Sequence, residues 1–244
     1  MTLLIIHPSP EIICKQTLLP STGSAAGAAG ETSQSEDSSR DPSGQDKCDL
    51  CPREEEPPKE IHPETVWGPD GKQEMYRVHL PRAGSFRCSE TELGFEVRAA
   101  VTIQYGYDSW DRHLSIYEKQ QWMVAGPLFD IQVEPARAVA AVHLPHFLCL
   151  AAAEVDISQL QVAHFVDGGM TLESPTRVRP FHAVLENPSF SPIGLLWKQI
   201  CSKLFPPVHT WVLLYRSSRA ADITLHLYLI PSDPSLAQVI EDMK

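Results

Sequence analysis

From Trp67 onward the chain is broken into short apolar runs by proline and glycine about every ten residues, and this interval constrains the fold more than any other feature. Runs this short favour strands over helices, which need ten or more residues to bury a continuous stripe. Strands are expected at Met75–Leu80, Gly94–Arg98, Val101–Tyr107, Trp122–Val124, Leu128–Val133, Val139–Leu144, Leu160–Phe165 and His182–Leu185. Breaks fall at Pro81, Gly84, Gly126-Pro127, Pro135, Pro145, Gly168-Gly169 and Pro175. Many short strands at such an interval predict an antiparallel sandwich or barrel. Further strands are expected around Trp211–Tyr215 and Ile223–Leu229, where Ile223, Leu225, Leu227 and Leu229 alternate on one face as in a half-buried strand. Two short helices interrupt the pattern. Ile193, Leu196, Trp197, Ile200 and Leu204 follow three-and-four spacing behind Ser191 as cap and Pro192 at the first helical position. Asp233-Pro234 opens the other, through Leu236, Val239 and Ile240.

Between Ser21 and Glu60 the only large apolar or aromatic residue is Leu50. Such a stretch buries too little surface to offset its ordering entropy, so residues 1–65 read as a disordered acidic tail rich in Ser, Gly and Pro. The formal charge is 20 minus 31, or −11, which argues against a nucleic-acid partner and against attachment to an anionic membrane. No apolar run approaches the roughly 20 residues that a membrane span needs, and the opening Thr2–Ile6 run is too short for a secretory core. Without such a signal the six scattered cysteines read as reduced thiols of a cytosolic protein.

Three local constellations carry possible chemistry. Cys48-Asp49-Leu50-Cys51 has the spacing of half a zinc site, but a structural site needs four ligands and only Cys14 and His62 lie near. The expectation is no metal, with two exposed thiols in the tail. His143 and His146 flank Pro145 close to Cys149, which could pair a nucleophile with a base; a strand turning at its proline accounts for the same residues. Ser189-Phe190-Ser191-Pro192 fits a helix cap, a proline-directed phosphorylation site or a self-cleaving peptide, and the spacing leaves these open.

Longer segments resemble a known family. They are Tyr76–Ser85, Trp122–Asp130, Ala141–Phe147, Val162–Phe165, Val184–Pro192 and Leu225–Asp233, in collinear order. Together they resemble the FIIND, or function-to-find domain, of inflammasome proteins. The resemblance implies a ZU-type β-sandwich at 66–190 and a UPA-type sandwich from 191, cut at the junction by self-proteolysis. With 244 minus 190, or 54, residues after Phe190, the second sandwich is expected to be incomplete. The fold class is thus all-β: an antiparallel sandwich, a partial second sandwich at 191–244, two short helices and the tail.

In the family the cut falls between the Phe and Ser that are here Phe190 and Ser191, and the assisting histidine corresponds to His164. Ser191 would attack the carbonyl before it, with the histidine as the assisting base. Pro192 favours an extended backbone at Ser191, and a helix starting there would aim free N–H groups at the oxyanion. The family's acidic residue four places after the histidine is Gly168 here, leaving Asp167 as the candidate acidic assistant. The resemblance implies partners too: the chain's own cleaved fragment, full-length FIIND-containing inflammasome proteins and cytosolic dipeptidyl peptidases. It implies no cofactor and at most single-turnover autoproteolysis. With no nucleotide-binding, leucine-rich-repeat or CARD segment, the chain is not expected to signal alone. The rival is a non-cleaving binding or decoy module; a ZU-type adaptor is a third reading, disfavoured by the Ser-Phe-Ser-Pro segment.

Overall fold

The computed structural model describes residues 48, 51–52, 58–68, 71, 73–151, 155–166, 168–199, 206–216 and 225–242. Its strands are β1 (Lys59–Ile61), β2 (Glu64–Trp67), β3 (Glu74–Leu80), β4 (Gly84–Cys88), β5 (Gly94–Val97), β6 (Val101–Asp108), β7 (Trp122–Val124) and β8 (Leu128–Glu134). They continue as β9 (Val139–Pro145), β10 (Leu160–Val166), β11 (Gly169–Glu173), β12 (Arg177–Val178), β13 (His182–Glu186), β14 (Ile193–Lys198), β15 (Thr210–Arg216) and β16 (Leu225–Pro231). The helices are α1 (Trp110–His113), α2 (Ile116–Gln121) and α3 (Pro234–Asp242).

The strands form two large sheets and a hairpin. A six-stranded sheet runs β1-β4-β5-β9-β13-β12, and an eight-stranded sheet runs β11-β10-β14-β8-β6-β3-β2 with β7 beside β14. Pairing is antiparallel except between β1 and β4. Alternation places Val101, Ile103 and Tyr105 of β6 inward, as the period-two pattern requires. They meet Phe95 and Val97 of β5, Leu144 of β9 and Leu185 of β13 in one core shared by both sheets, which makes the pair a sandwich. Phe95 and Phe129 are fully buried there, and truncating either to alanine should cost about 3–5 kcal/mol.

A second apolar cluster covers the outer face of the larger sheet. Leu114, Leu128, Ala163, Phe165 and Leu196 pack under Trp110 and Trp122. Ser109 caps α1 by accepting from Asp111 N–H, and Ser115 with Glu118 forms a capping box on α2. Trp110 lies so close to Gly194 of β14 that an added Cβ would sit 2.5 Å from its ring, so only glycine fits.

Each of the ten expected strands is present. The helix expected from Ile193 is not: Ile193–Lys198 is β14, hydrogen-bonded among β10, β8 and β7. Ile193, Leu195 and Trp197 face the sandwich core while Leu196 faces the outer cluster. Both faces are covered from Ile193 to Trp197, so that run has no polar residue and imitates a three-and-four stripe. Ile200 and Leu204 lie outside the described residues. The later helix is α3, opened by Asp233, whose carboxylate accepts from Ser235 N–H; α1 and α2 were not expected. Much of the expected tail also lies outside the described residues, but pairing begins at Lys59, before residue 65.

Candidate functional site

The connection from β13 to β14 carries the chain from one layer of the sandwich to the other, and Phe190–Ser191 lies within it. Its entry is pinned at Asn187, whose φ of 49° is a conformation that asparagine tolerates better than most residues. Asn187 N–H donates to Ala140 O at 2.8 Å. Its Oδ1 accepts from Arg98 Nη2 at 2.6 Å, while Arg98 Nη1 donates to Val139 O at 3.0 Å. The exit is pinned where Phe165 N–H donates to Pro192 O at 3.0 Å. Phe190 packs against the core between these anchors. A peptide held at both ends loses less entropy on reaching a reactive geometry.

His164 lies beside this peptide. On one side it pairs with Ile193 of β14 and on the other with Thr171 of β11. Ser191 and Glu173 are each two positions beyond those partners, hence on the same sheet face and within diagonal reach. His164 Nε2 is 2.7 Å from Glu173 Oε1, and His164 Nδ1 is 3.3 Å from Ser191 Oγ. A proton on Nε2, donated to the carboxylate, leaves the Nδ1 lone pair to accept from the serine hydroxyl. The second distance slightly exceeds the roughly 2.6–3.2 Å of a working general base. His164 is only 4% exposed, whereas the Glu173 side chain is 48% exposed, so the row opens to water at the carboxylate end.

Sequence reasoning missed Glu173. Val166 pairs with Gly169, so β10 and β11 are joined by the two residues Asp167-Gly168, a strong hairpin signal. Taking that turn as a hairpin sets the register and puts position 173 beside 164. Asp167 lies outside the described residues. Gly168 has φ +75°, the left-handed conformation such a turn demands. The expected helix N-terminus behind Ser191 is absent because β14 begins there, so it supplies no oxyanion donors.

The other candidates separate. His143 Nε2 donates to Glu96 Oε1 at 2.9 Å, and His146 Nε2 donates to Arg179 O at 3.0 Å, at the end of β9 where Pro145 closes the strand. Cys149 faces neither in a hydrogen-bonded pair. Its Sγ is 3.9 Å from Cys51 Sγ, and Cys51 Sγ is 3.4 Å from His209 Nε2. Cys48 and Cys51, expected as exposed thiols, are 6% and 7% exposed: they are buried against Cys149 and Phe181. His62 instead hydrogen-bonds Ser89 Oγ, and Cys14 lies outside the described residues.

Comparison with known proteins places the chain among relatives of known family. Residues 69–203, more than half of the chain, match the family model described as FIIND, function to find. The chain is 41% identical over 223 residues to caspase recruitment domain-containing protein 8 of Pongo abelii, covering 82% of this chain and 52% of that protein. The Homo sapiens protein of that name is also 41% identical, with 82% of this chain and 42% of that protein covered. Against NACHT, LRR and PYD domains-containing protein 1a of Mus musculus the identity is 46% over 187 residues, 72% of this chain and 16% of that protein. The chain therefore spans about half or less of the curated relatives it matches. It belongs to the FIIND family.

Proposed function

We propose that this chain is a regulatory module of inflammasome signalling that cuts its own Phe190–Ser191 bond once and keeps both fragments together. The contact of His164 Nδ1 with Ser191 Oγ, backed by Glu173 on Nε2, carries this reading. Ser191 Oγ attacks the Phe190 carbonyl carbon as its proton passes to His164. The C–N bond breaks, the proton moves to the released Ser191 amine, and an ester joins Phe190 to Ser191 Oγ. Water then hydrolyses the ester, leaving a Phe190 carboxylate and a free Ser191 hydroxyl.

The fragments stay joined because β14 belongs to the second and lies between strands of the first. Ile193, Leu195, Leu196 and Trp197 are buried, and each such side chain contributes about 1.5–3 kcal/mol. Intact-mass measurement after purification tests the reading. Two fragments, ending at Phe190 and beginning at Ser191, should co-purify and separate on denaturation, while Ser191→Ala should give one chain. A single wild-type species after long incubation removes the cleavage reading.

A second observation favours a binding role. Val212 pairs with Leu229 and Leu214 with Leu227, and all four are exposed on one face of the β15–β16 hairpin. No second sheet covers this face among the described residues, in line with the expectation that the UPA-type part is incomplete. An apolar face of this kind suits docking to another FIIND protein or to a cytosolic dipeptidyl peptidase. Pull-down of each with wild type and Leu214→Lys tests it; equal capture, or none by wild type, removes it.

A further inference from the structure

Cys48, Cys51, Cys149 and His209 come from three distant parts of the sequence, yet their ligand atoms all lie within 4.8 Å of one another. We propose that they form a closed tetrahedral site for a structural zinc ion. Tetrahedral zinc with Zn–S near 2.3 Å and Zn–N near 2.0–2.1 Å requires S···S edges of about 3.8 Å and S···N edges of about 3.5 Å. The Cys51–Cys149 separation is 3.9 Å and the Cys51–His209 separation is 3.4 Å. Three thiolates and one imidazole are soft donors suited to zinc, and four protein ligands leave no position for catalytic water.

The backbone holds the donors independently of any ion. Cys51 N–H donates to Cys48 O at 3.1 Å, closing a turn that lets both sulfurs point to one centre. Cys149 N–H donates to Pro207 O at 2.8 Å and His209 N–H to Phe147 O at 2.6 Å, around an antiparallel bridge between Leu148 and Val208. Phe181 packs on the His209 ring with centroids 5.2 Å apart and lies against the three cysteines. Cys88 is equally buried but stands outside the group, so burial of thiols alone does not explain the convergence.

The site has a topological consequence. Cys48, Cys51 and Cys149 precede the Phe190–Ser191 bond and His209 follows it, so one ion ties the two sides of the junction. If the chain is cut as proposed above, zinc is a clasp between the fragments; the site itself does not depend on the cut.

Zinc analysis of the full chain, expressed with zinc and purified without chelator, tests the site. Wild type should hold about one zinc per chain. Cys51→Ser and Cys149→Ser should fall to near zero, with Cys88→Ala unchanged. Cobalt added to zinc-stripped wild type should develop the visible bands of a tetrahedral ion and a thiolate charge-transfer band, a readout that needs no variant to fold. Chelator should lower the melting midpoint of wild type but not of Cys149→Ser. Wild type without stoichiometric zinc and without cobalt colour overturns the proposal, as does a Cys51–Cys149 disulfide found by thiol counting. Cleavage is read separately by mass, so an uncut chain that binds zinc sinks only the cleavage reading.

Discussion

His143, His146 and His182, at one end of the sandwich, are as buried as His164, but they have different partners. Around β9 and β13, His146 and His182 each donate to a backbone carbonyl, of Arg179 and Glu92, and His143 donates to Glu96 across the sheet. On β10, His164 has a carboxylate on one nitrogen and a serine hydroxyl near the other. Burial makes all four look alike by exposure. What sets His164 apart is a ring nitrogen that faces the Ser191 hydroxyl, next to the Phe190 carbonyl.

The largest expected effect follows from this contrast. His164→Ala should slow appearance of the two fragments by about a hundred- to ten-thousand-fold, the usual range for general-base assistance. His143→Ala and His146→Ala should leave that rate within about threefold while lowering the melting midpoint, because each removes a packed and hydrogen-bonded ring. The readout is a time course on denaturing gels beside a melting curve. Comparable slowing in all three would dissolve the distinction between the two regions.

The strand-end histidines should reveal themselves by pH instead. Burial pushes the His146 ring down to about 4 and the His182 ring down to about 3, so both are neutral in the folded chain. Their unfolded value is about 6.5. Stability is therefore complete above pH 6.5 and is lost as pH falls toward the folded values, because only the unfolded chain takes up the protons. Between pH 6.5 and pH 5 each should cost about 2 kcal/mol. Denaturant unfolding at both pH values measures the loss, and His182→Asn should flatten the slope. A stability independent of pH over that window would mean that these rings are not closed in.

The sandwich was legible because its signal is local: proline and glycine stand where the strands end, and each strand alternates over its own few residues. The part misread was Ile193–Lys198, where a strand covered on both faces has no alternation to display. The expectation for His164, Phe190 and Ser191 comes from segments that resemble a family, since nothing in their spacing joins residues 164 and 191. Glu173 was hidden because its place depends on register, which the Asp167-Gly168 turn encodes but composition does not. The cysteine cluster was less accessible still. Cys149 is 98 residues from Cys51 and His209 is 158 away, so only the folded sheet order brings them together.

A smaller effect is expected at the carboxylate. Glu173→Gln keeps an acceptor near His164 Nε2 but removes its charge, and charge-assisted bonds are roughly twice as strong as neutral ones. The half-exposed position of Glu173 discounts that difference through solvent screening. A loss of about tenfold in cleavage rate is expected, equivalent to about 1.4 kcal/mol in the barrier. A loss as large as that of His164→Ala would make Glu173 indispensable to setting the tautomer, as in a full triad.

The smallest effect is expected from restoring an acidic residue at position 168. The family pattern places an acid there, which on sequence grounds makes Gly168→Glu an accelerating change. The geometry argues otherwise. Gly168 has φ +75°, where any residue with a Cβ is strained by about 1–2 kcal/mol, although no atom of the described residues beyond its chain neighbours lies within 4 Å of an added Cβ. Both ring nitrogens of His164 already have partners, Glu173 on one side and Ser191 on the other. A new carboxylate would have no vacant nitrogen to orient, so the rate should stay within about twofold while the melting midpoint falls slightly. The double variant Gly168→Glu with Glu173→Gln separates the possibilities. If it cleaves as slowly as Glu173→Gln alone, position 173 is the seat of the acid in this chain. If it recovers the wild-type rate, the two positions are interchangeable, and the β10–β11 turn must be able to bring an acid from its tip to His164.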